Sequence, residues 1–235
     1  RDRSPSRGLG DVYKRQHLAK LGKAAAQKDS AFSLEDRVGL VSDAFTLAQA
    51  GYSKTSGGLA LMHALRGDNS SLVNTAAALN LGKLASVWWE QPQSVRDGIN
   101  RFRADVFGPM ARELTFEFGA NDSSELRELR ETVITAAASA GDTWTLDEIR
   151  RRFAPLQEHG DYSLIHPDLL RTVLSQAVKH GGEAEYETVM GVYRAPPTPA
   201  HKTSAMVALG TTQDAALIQR TIEFVFSCLL YTSDA

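Results

Sequence analysis

Six histidines and one group of arginines are the side chains from which chemistry would have to be built. A zinc site on a helix needs two imidazoles one turn apart, so that both face one ion. His17, His63, His159, His166, His180 and His201 include no pair at i, i+4, and Glu158-His159 lacks a second histidine at the required spacing. Most of the six read as helix-end or turn residues. No G-x-S-x-G elbow, Walker loop or dinucleotide fingerprint occurs in the chain. Ser56-Gly57-Gly58 resembles an anion nest at a helix start, but no strand precedes it and no lysine lies within it, so it reads as a packing or turn element. The expectation is therefore no catalytic residue, no metal and no cofactor within this chain.

The arginines leave two readings open. Arg150, Arg151 and Arg152 follow Asp147 and Glu148 in one predicted helix, and Arg127 and Arg130 lie on the helix before it. Local i, i+3 and i, i+4 pairs on a solvated face are one reading. Binding of a substrate carboxylate is the other, with Arg127 and Arg130 as the substrate-proximal candidates. Trp88 and Trp89 close a predicted helix and read as inter-helix packing, near Tyr52 or Phe102.

The ends of the chain look foreign to it. Asp11 to Gln16 can be encoded by gatgtgtataagagacag, and the reverse complement, entered one base in, encodes Cys-Leu-Leu-Tyr-Thr-Ser, which is Cys228 to Ser233. Two terminal segments thus read as opposite strands of one DNA word, which resembles the transposon-end adaptor of sequencing libraries. Residues 1–16 and 228–235 are expected to be non-native and 17–227 to be the protein domain. Removing the tags' five basic residues (Arg1, Arg3, Arg7, Lys14, Arg15) and three acidic ones (Asp2, Asp11, Asp234) from totals of 26 and 28 gives a formal charge of −4. Mild acidity argues against a nucleic-acid groove, which needs clustered positive charge. The single cysteine, Cys228, lies in the tag, so 17–227 has no disulfide framework and no thiolate metal site. No run approaches the roughly 18 apolar residues of a membrane span.

The dominant pattern is apolar spacing of three and four, the helical period. In Ser33 to Gly51, Leu34, Val38, Val41, Phe45 and Ala48 form one stripe and Leu40, Ala44, Leu47 and Gly51 a second. A helix apolar on two faces is sandwiched between neighbours. Ser33 with Asp36 predicts a capping-box start and Gly51 a stop. Further helices are predicted over 17–28, 55–66, 71–90, 93–118, 124–140, 145–158, 166–180, 183–194, 199–209 and 212–227. Pro109 should bend or divide the fifth, and Thr145 with Glu148 should cap the seventh. No sustained period-two run predicts a strand. The expectation is all-α: a HEAT- or ARM-like superhelical array of antiparallel helix pairs joined by short turns.

SLEDRVGLVSDAFTLAQAG, with Asp36, Arg37, Leu40, Asp43, Ala50 and Gly51 in place, resembles the opening of the helical C-terminal (ERAP1-like) domain of M1-family zinc aminopeptidases, the group with puromycin-sensitive and fungal cytosolic members. Asn80-Leu81-Gly82-Lys83-Leu84 is similar to the family's N-L-x-x-L step, Val106-Phe107-Gly108-Pro109 to its V-F-x-P bend, Arg150 to Phe153 to its R-R-R-F helix, and Val207-Ala208-Leu209-Gly210 to a later step. These matches run in order through most of 17–227.

The resemblance implies an intact protein that removes N-terminal residues from peptides. Its zinc would be held by H-E-x-x-H and a distal Glu, with a G-x-M-E-N loop on the free amine. Neither motif is in this chain, so both would belong upstream of His17. The domain itself would be a helical bowl that caps the active site and helps select peptide length. Its partners would be the catalytic domain of the same polypeptide and peptide substrates, with no nucleic acid or membrane, in the cytoplasm. Asp36, Arg37, Asp43 and Gly51 are then structural, with Arg37 capping or pairing locally. The arginine that some members place beyond the V-A-L-G-like step falls near Thr211, so that role is not carried over. The competing reading is a helical-repeat scaffold that binds a protein partner and has no enzymatic parent.

Overall fold

A computed structural model describes the backbone of residues 6–27 and 29–232 and the side chains of 15–27 and 29–227. Eleven α-helices make up the described residues, with no strand among them. They are α1 (Ser6–Ala25), α2 (Leu34–Gln49), α3 (Thr55–Leu65), α4 (Ser71–Val87), α5 (Gln93–Leu114), α6 (Ser124–Ser139), α7 (Thr143–His159), α8 (Leu170–His180), α9 (Glu183–Arg194), α10 (Pro199–Leu209) and α11 (Ala215–Thr232). A 3-10 turn, Pro167–Leu169, leads into α8 with Pro167 in its first turn, as the sequence predicts. The terminal residues 1–5 and 233–235 of the suspected tags lie outside the described residues, but Ser6 to Gln16 continue α1 and so are helical despite their lack of apolar periodicity.

The helices fall into two compact units, Arg1–Thr115 with Gly119–Asp142, and Phe116–Phe118 with Thr143–Ala235. In the first, α1 packs on α3, α2 on α3 and α4, α4 on α6, and α5 on α6. In the second, α7 packs on α8 and α9, α8 on α9 and α10, and α9 on α10. Contacts to the next helix and the next but one are those of stacked hairpins within each unit. The first stripe read from the sequence of α2 supplies core residues Val41 and Phe45, and Val73, Ala77 and Leu81 on α4, Phe107 on α5, Ile149 and Phe153 on α7, and Tyr186 on α9 are buried with them in their own units. Burying one such large side chain contributes roughly 1.5–3 kcal/mol.

Helix ends follow local chemistry. Ser33 Oγ accepts from Asp36 N at 3.1 Å and Asp36 Oδ2 from Ser33 N at 2.9 Å, the reciprocal capping box. Gly51 (φ +79°) ends α2 in a Schellman motif, with Tyr52 N donating to Leu47 O at 2.9 Å and Gly51 N to Ala48 O at 3.1 Å. Three expectations need correction. The helix expected to start at Thr145 starts two residues earlier, at Thr143, and Thr145 is fully buried within it. Pro109 does not divide α5, which runs through it as one helix from Gln93 to Leu114. Pro109 and Asp105 are both exposed, so solvent can serve the carbonyl that the proline leaves unbonded. Finally, α2 is not covered on both stripes: Leu47 is 47% exposed.

Candidate functional site

Asp36 and Gly51 cap the two ends of α2, and Asp43 lies exposed between them. Arg37 does not pair locally. Its Nε lies 3.3 Å from Asp68 Oδ2 at the turn between α3 and α4, and Asp68 Oδ1 accepts from Ser70 N at 2.9 Å. The arginine therefore ties the start of α2 to the start of α4, a relation between distant residues with no local signature. Asp43 borders an open apolar groove of about 570 Å³ with Leu18, Leu40, Leu47 and Tyr52.

Gly57 and Gly58, read from the sequence as a packing or turn element, are buried packing positions. A Cβ on Gly57 would stand 2.9 Å from Leu18 of α1, and one on Gly58 would stand 3.3 Å from the Phe45 ring of α2. Gly108 of the V-F-x-P step is similar. A Cβ there would meet Asp142 Oδ2 at 2.7 Å, and that carboxylate accepts from Arg112 Nη2 at 2.8 Å.

Arg127 and Arg130 share α6 but not an environment. Arg130 is buried, and its Nη1 donates to Asp122 Oδ2 at 2.7 Å while its Nε donates to Leu114 O at 3.0 Å. The Gly119 N–H, followed by Arg130, holds the Asp122 carboxyl below its usual range. Arg127 is half-buried, its Nε lacks a hydrogen-bond partner, and its charge acts weakly on Asp122.

The arginine triplet divides too. Arg150 pairs with Asp147, and Arg151 donates to Glu148 at 2.9 Å, both one turn away on an exposed face. Arg151, the principal partner, holds the Glu148 carboxyl low. Arg152 is buried: it donates to Leu164 O at 2.8 Å, pairs with Glu117, and stands 5.0 Å over the Phe116 ring. Sequence reasoning missed this strut, although position 152 lies in the same stripe as Ile149, Phe153 and Leu156.

Trp88 is half-buried and Trp89 is 66% exposed, so the expectation of interior packing fails for Trp89; Tyr52 is 73% exposed. In the second unit, Ile149, Phe153, Gln176, His180 and Glu185 line a cavity of about 170 Å³. Burial, then the charges of Lys179 and Arg150, push the His180 pKa down. Among the described residues no group of three His, Cys, Asp or Glu side chains could hold a metal. No described helix is long and apolar enough to cross a membrane.

A family model described as the ERAP1-like C-terminal domain matches residues 12–234. The chain belongs to this family. As an ERAP1-like C-terminal domain it is similar to the alanine/arginine aminopeptidase of Saccharomyces cerevisiae, 29% identical over 223 residues that cover 94% of this chain and 25% of that protein. Aminopeptidase M1 of Arabidopsis thaliana is 25% identical over 91% of the chain and 25% of the relative. The puromycin-sensitive aminopeptidase of Caenorhabditis elegans is 22% identical over 81% of the chain and 20% of the relative. The ERAP1-like domain thus spans about a quarter of the curated relatives it matches, and its struts and caps are those of an all-helical module.

Proposed function

We propose that this chain is the non-catalytic C-terminal domain of a zinc metallo-aminopeptidase, capping the active site of a parent enzyme that removes N-terminal residues from peptides and helping to select peptide length. The observation that carries the reading is a family match over residues 12–234, with relatives named as aminopeptidases in fungi, a plant and an animal. The pairing of Arg130, Arg150, Arg151 and Arg152 with carboxylates supports a scaffolding role over a catalytic one. The parent's zinc and amine-binding groups belong to a catalytic domain of the same polypeptide, which is the domain's first partner, with peptides the second. Exposed apolar side chains on and just after α4, Leu72, Leu79, Val87 and Trp89, are suited to covering by such a domain. We place the protein in the cytoplasm, to be checked by fractionation, since one yeast relative is named mitochondrial.

The test is direct. The purified chain should release no arylamine from aminoacyl-arylamides, with or without added zinc, and the genomic frame upstream should encode H-E-x-x-H with a glutamate about twenty residues later. Zinc-dependent turnover by the chain itself overturns the non-catalytic assignment. An upstream frame without the motif favours the scaffold reading.

A further inference from the structure

Gln176 is a buried amide whose oxygen has nothing to accept. The residue is 8% exposed, in α8, and its Oε1 has no hydrogen-bond partner. A buried carbonyl that has given up water without gaining a donor is costly to keep, unless something else supplies an N–H or O–H. Gln176 also lines the cavity of about 170 Å³ among α7, α8 and the start of α9. A half-turn about the last side-chain bond exchanges the amide oxygen and nitrogen, so the oxygen can be presented to the cavity without moving the helix.

The walls around it are apolar. Leu146, Ile149 and Phe153 of α7 and Ala177 of α8 line the same space, and each is buried. The charged lining residues are already engaged. Arg150 pairs with Asp147, and Glu185 accepts from Gly182 N at 2.7 Å and from Gln157 Nε2 at 3.4 Å. Arg150 and His180 are exposed, so they belong to the mouth rather than the floor. Neither an ammonium nor a carboxylate finds a free countercharge at the buried end. A cavity of about 150 Å³ with aliphatic and phenyl walls is enough to take up benzene. The space beside Gln176 is therefore matched to one six-membered ring, with a single acceptor for a single donor.

We propose that this cavity binds a phenol ring, the side chain of a tyrosine, with the ring against Leu146, Ile149 and Phe153 and the hydroxyl donating to Gln176 Oε1. Phenol and toluene have nearly the same shape, but only phenol supplies the donor that the amide lacks. A buried acceptor that must be satisfied discriminates between such isosteres more sharply than a hydrophobic wall does. That the ring arrives on a peptide rests on the aminopeptidase reading above; that it carries a hydroxyl rests on Gln176.

The experiment uses the full 235-residue chain and follows the methyl resonances of Leu146 and Ile149 as phenol, toluene or N-acetyltyrosine N-methylamide is added. Phenol and the tyrosine derivative should shift these methyls saturably, and N-acetylphenylalanine N-methylamide should bind about tenfold more weakly than the tyrosine derivative. Gln176→Leu should lower the ratio of phenol to toluene affinity about tenfold while still binding toluene, which shows that the variant is folded. Its melting temperature should hold or rise, because a buried unpartnered carbonyl is gone. If Gln176→Leu fails to fold, the tyrosine and phenylalanine derivatives on the unaltered chain still decide. Equal binding of those two, or an unchanged phenol-to-toluene ratio in Gln176→Leu, overturns the hydroxyl assignment. Saturation by acetate or methylammonium at lower concentration than by phenol overturns the phenol site as a whole. Binding of phenol but not of the tyrosine derivative overturns the peptide source alone. Arylamide turnover and the upstream frame read the aminopeptidase proposal separately, so the two can fail independently.

Discussion

Nη1 of Arg130 lies 2.7 Å from Oδ2 of Asp122, while Nε of the same guanidinium donates to the carbonyl of Leu114 at 3.0 Å. One side chain on α6 thereby fastens the end of α5 and the loop that joins the two helices. Asp122 also accepts from Gly119 N at 2.9 Å, so the loop is held from inside as well. Its carboxyl pKa is lowered, first by that N–H and then by Arg130. A depressed carboxyl stabilises above its unfolded pKa, and the contribution is lost as pH falls through the lower folded value. Asp122→Asn should therefore melt earlier at neutral pH and show a shallower loss of stability below about pH 4. Equal melting of mutant and wild type at pH 7 would dismiss the loop clamp.

Adjacent arginines should behave unequally. Arg152→Ala strips a partner from the part-buried Leu164 carbonyl and from Glu117, and should cost about 2 kcal/mol in urea unfolding. Arg151→Ala removes an exposed i, i+3 pair and should cost about 0.5 kcal/mol or less. Similar losses for both would mean that 152 is as solvated as 151.

Gly108 leaves room for a carboxylate. Gly108→Ala would place a methyl 2.7 Å from Asp142 Oδ2, and the Arg112–Asp142 pair would have to open. A loss of about 1–3 kcal/mol is expected, the usual cost of overpacking. Asp142→Ala should relieve part of it, so a double-mutant cycle measures the coupling; strict additivity of the two changes would refute the contact.

His180 carries a pH signature. Its folded pKa lies below the ordinary 6.5, chiefly through burial, so the unfolded chain binds the proton more readily. Stability should rise with pH through about 6.5 and fall as the solution is acidified through that value toward the folded pKa. His180→Gln should flatten the melting temperature between roughly pH 7.5 and 5.5. An unchanged pH profile in the variant would remove His180 as the cause.

The helices were legible because each one carries its own instructions. Ser33 and Asp36 start α2, Gly51 stops it, and Val41 with Phe45 declares the buried face. The start of α7 differs from the sequence reading because Thr145 has the chemistry of a cap but is buried two residues inside the helix. The roles of the arginines were harder to read. Their partners are distant, Arg37 meeting Asp68 and Arg152 meeting Glu117, and helical periodicity says nothing about the far end of a salt bridge. What could have been noticed is that Arg103, Arg130 and Arg152 each occupy a place in an apolar stripe. A charged residue in that register is either sheathed by polar groups or waiting for some.

Helix α3 offers bare backbone to two neighbours at consecutive positions, with Leu18 seated against Gly57 and Phe45 against Gly58. The peg on each flank rests in a socket with no side chain of its own to yield. A change of bulk at 18 or at 45 is thus transmitted as a shift of the rod between them, and the two sites must be redesigned together although neither touches a side chain of α3 at these glycines.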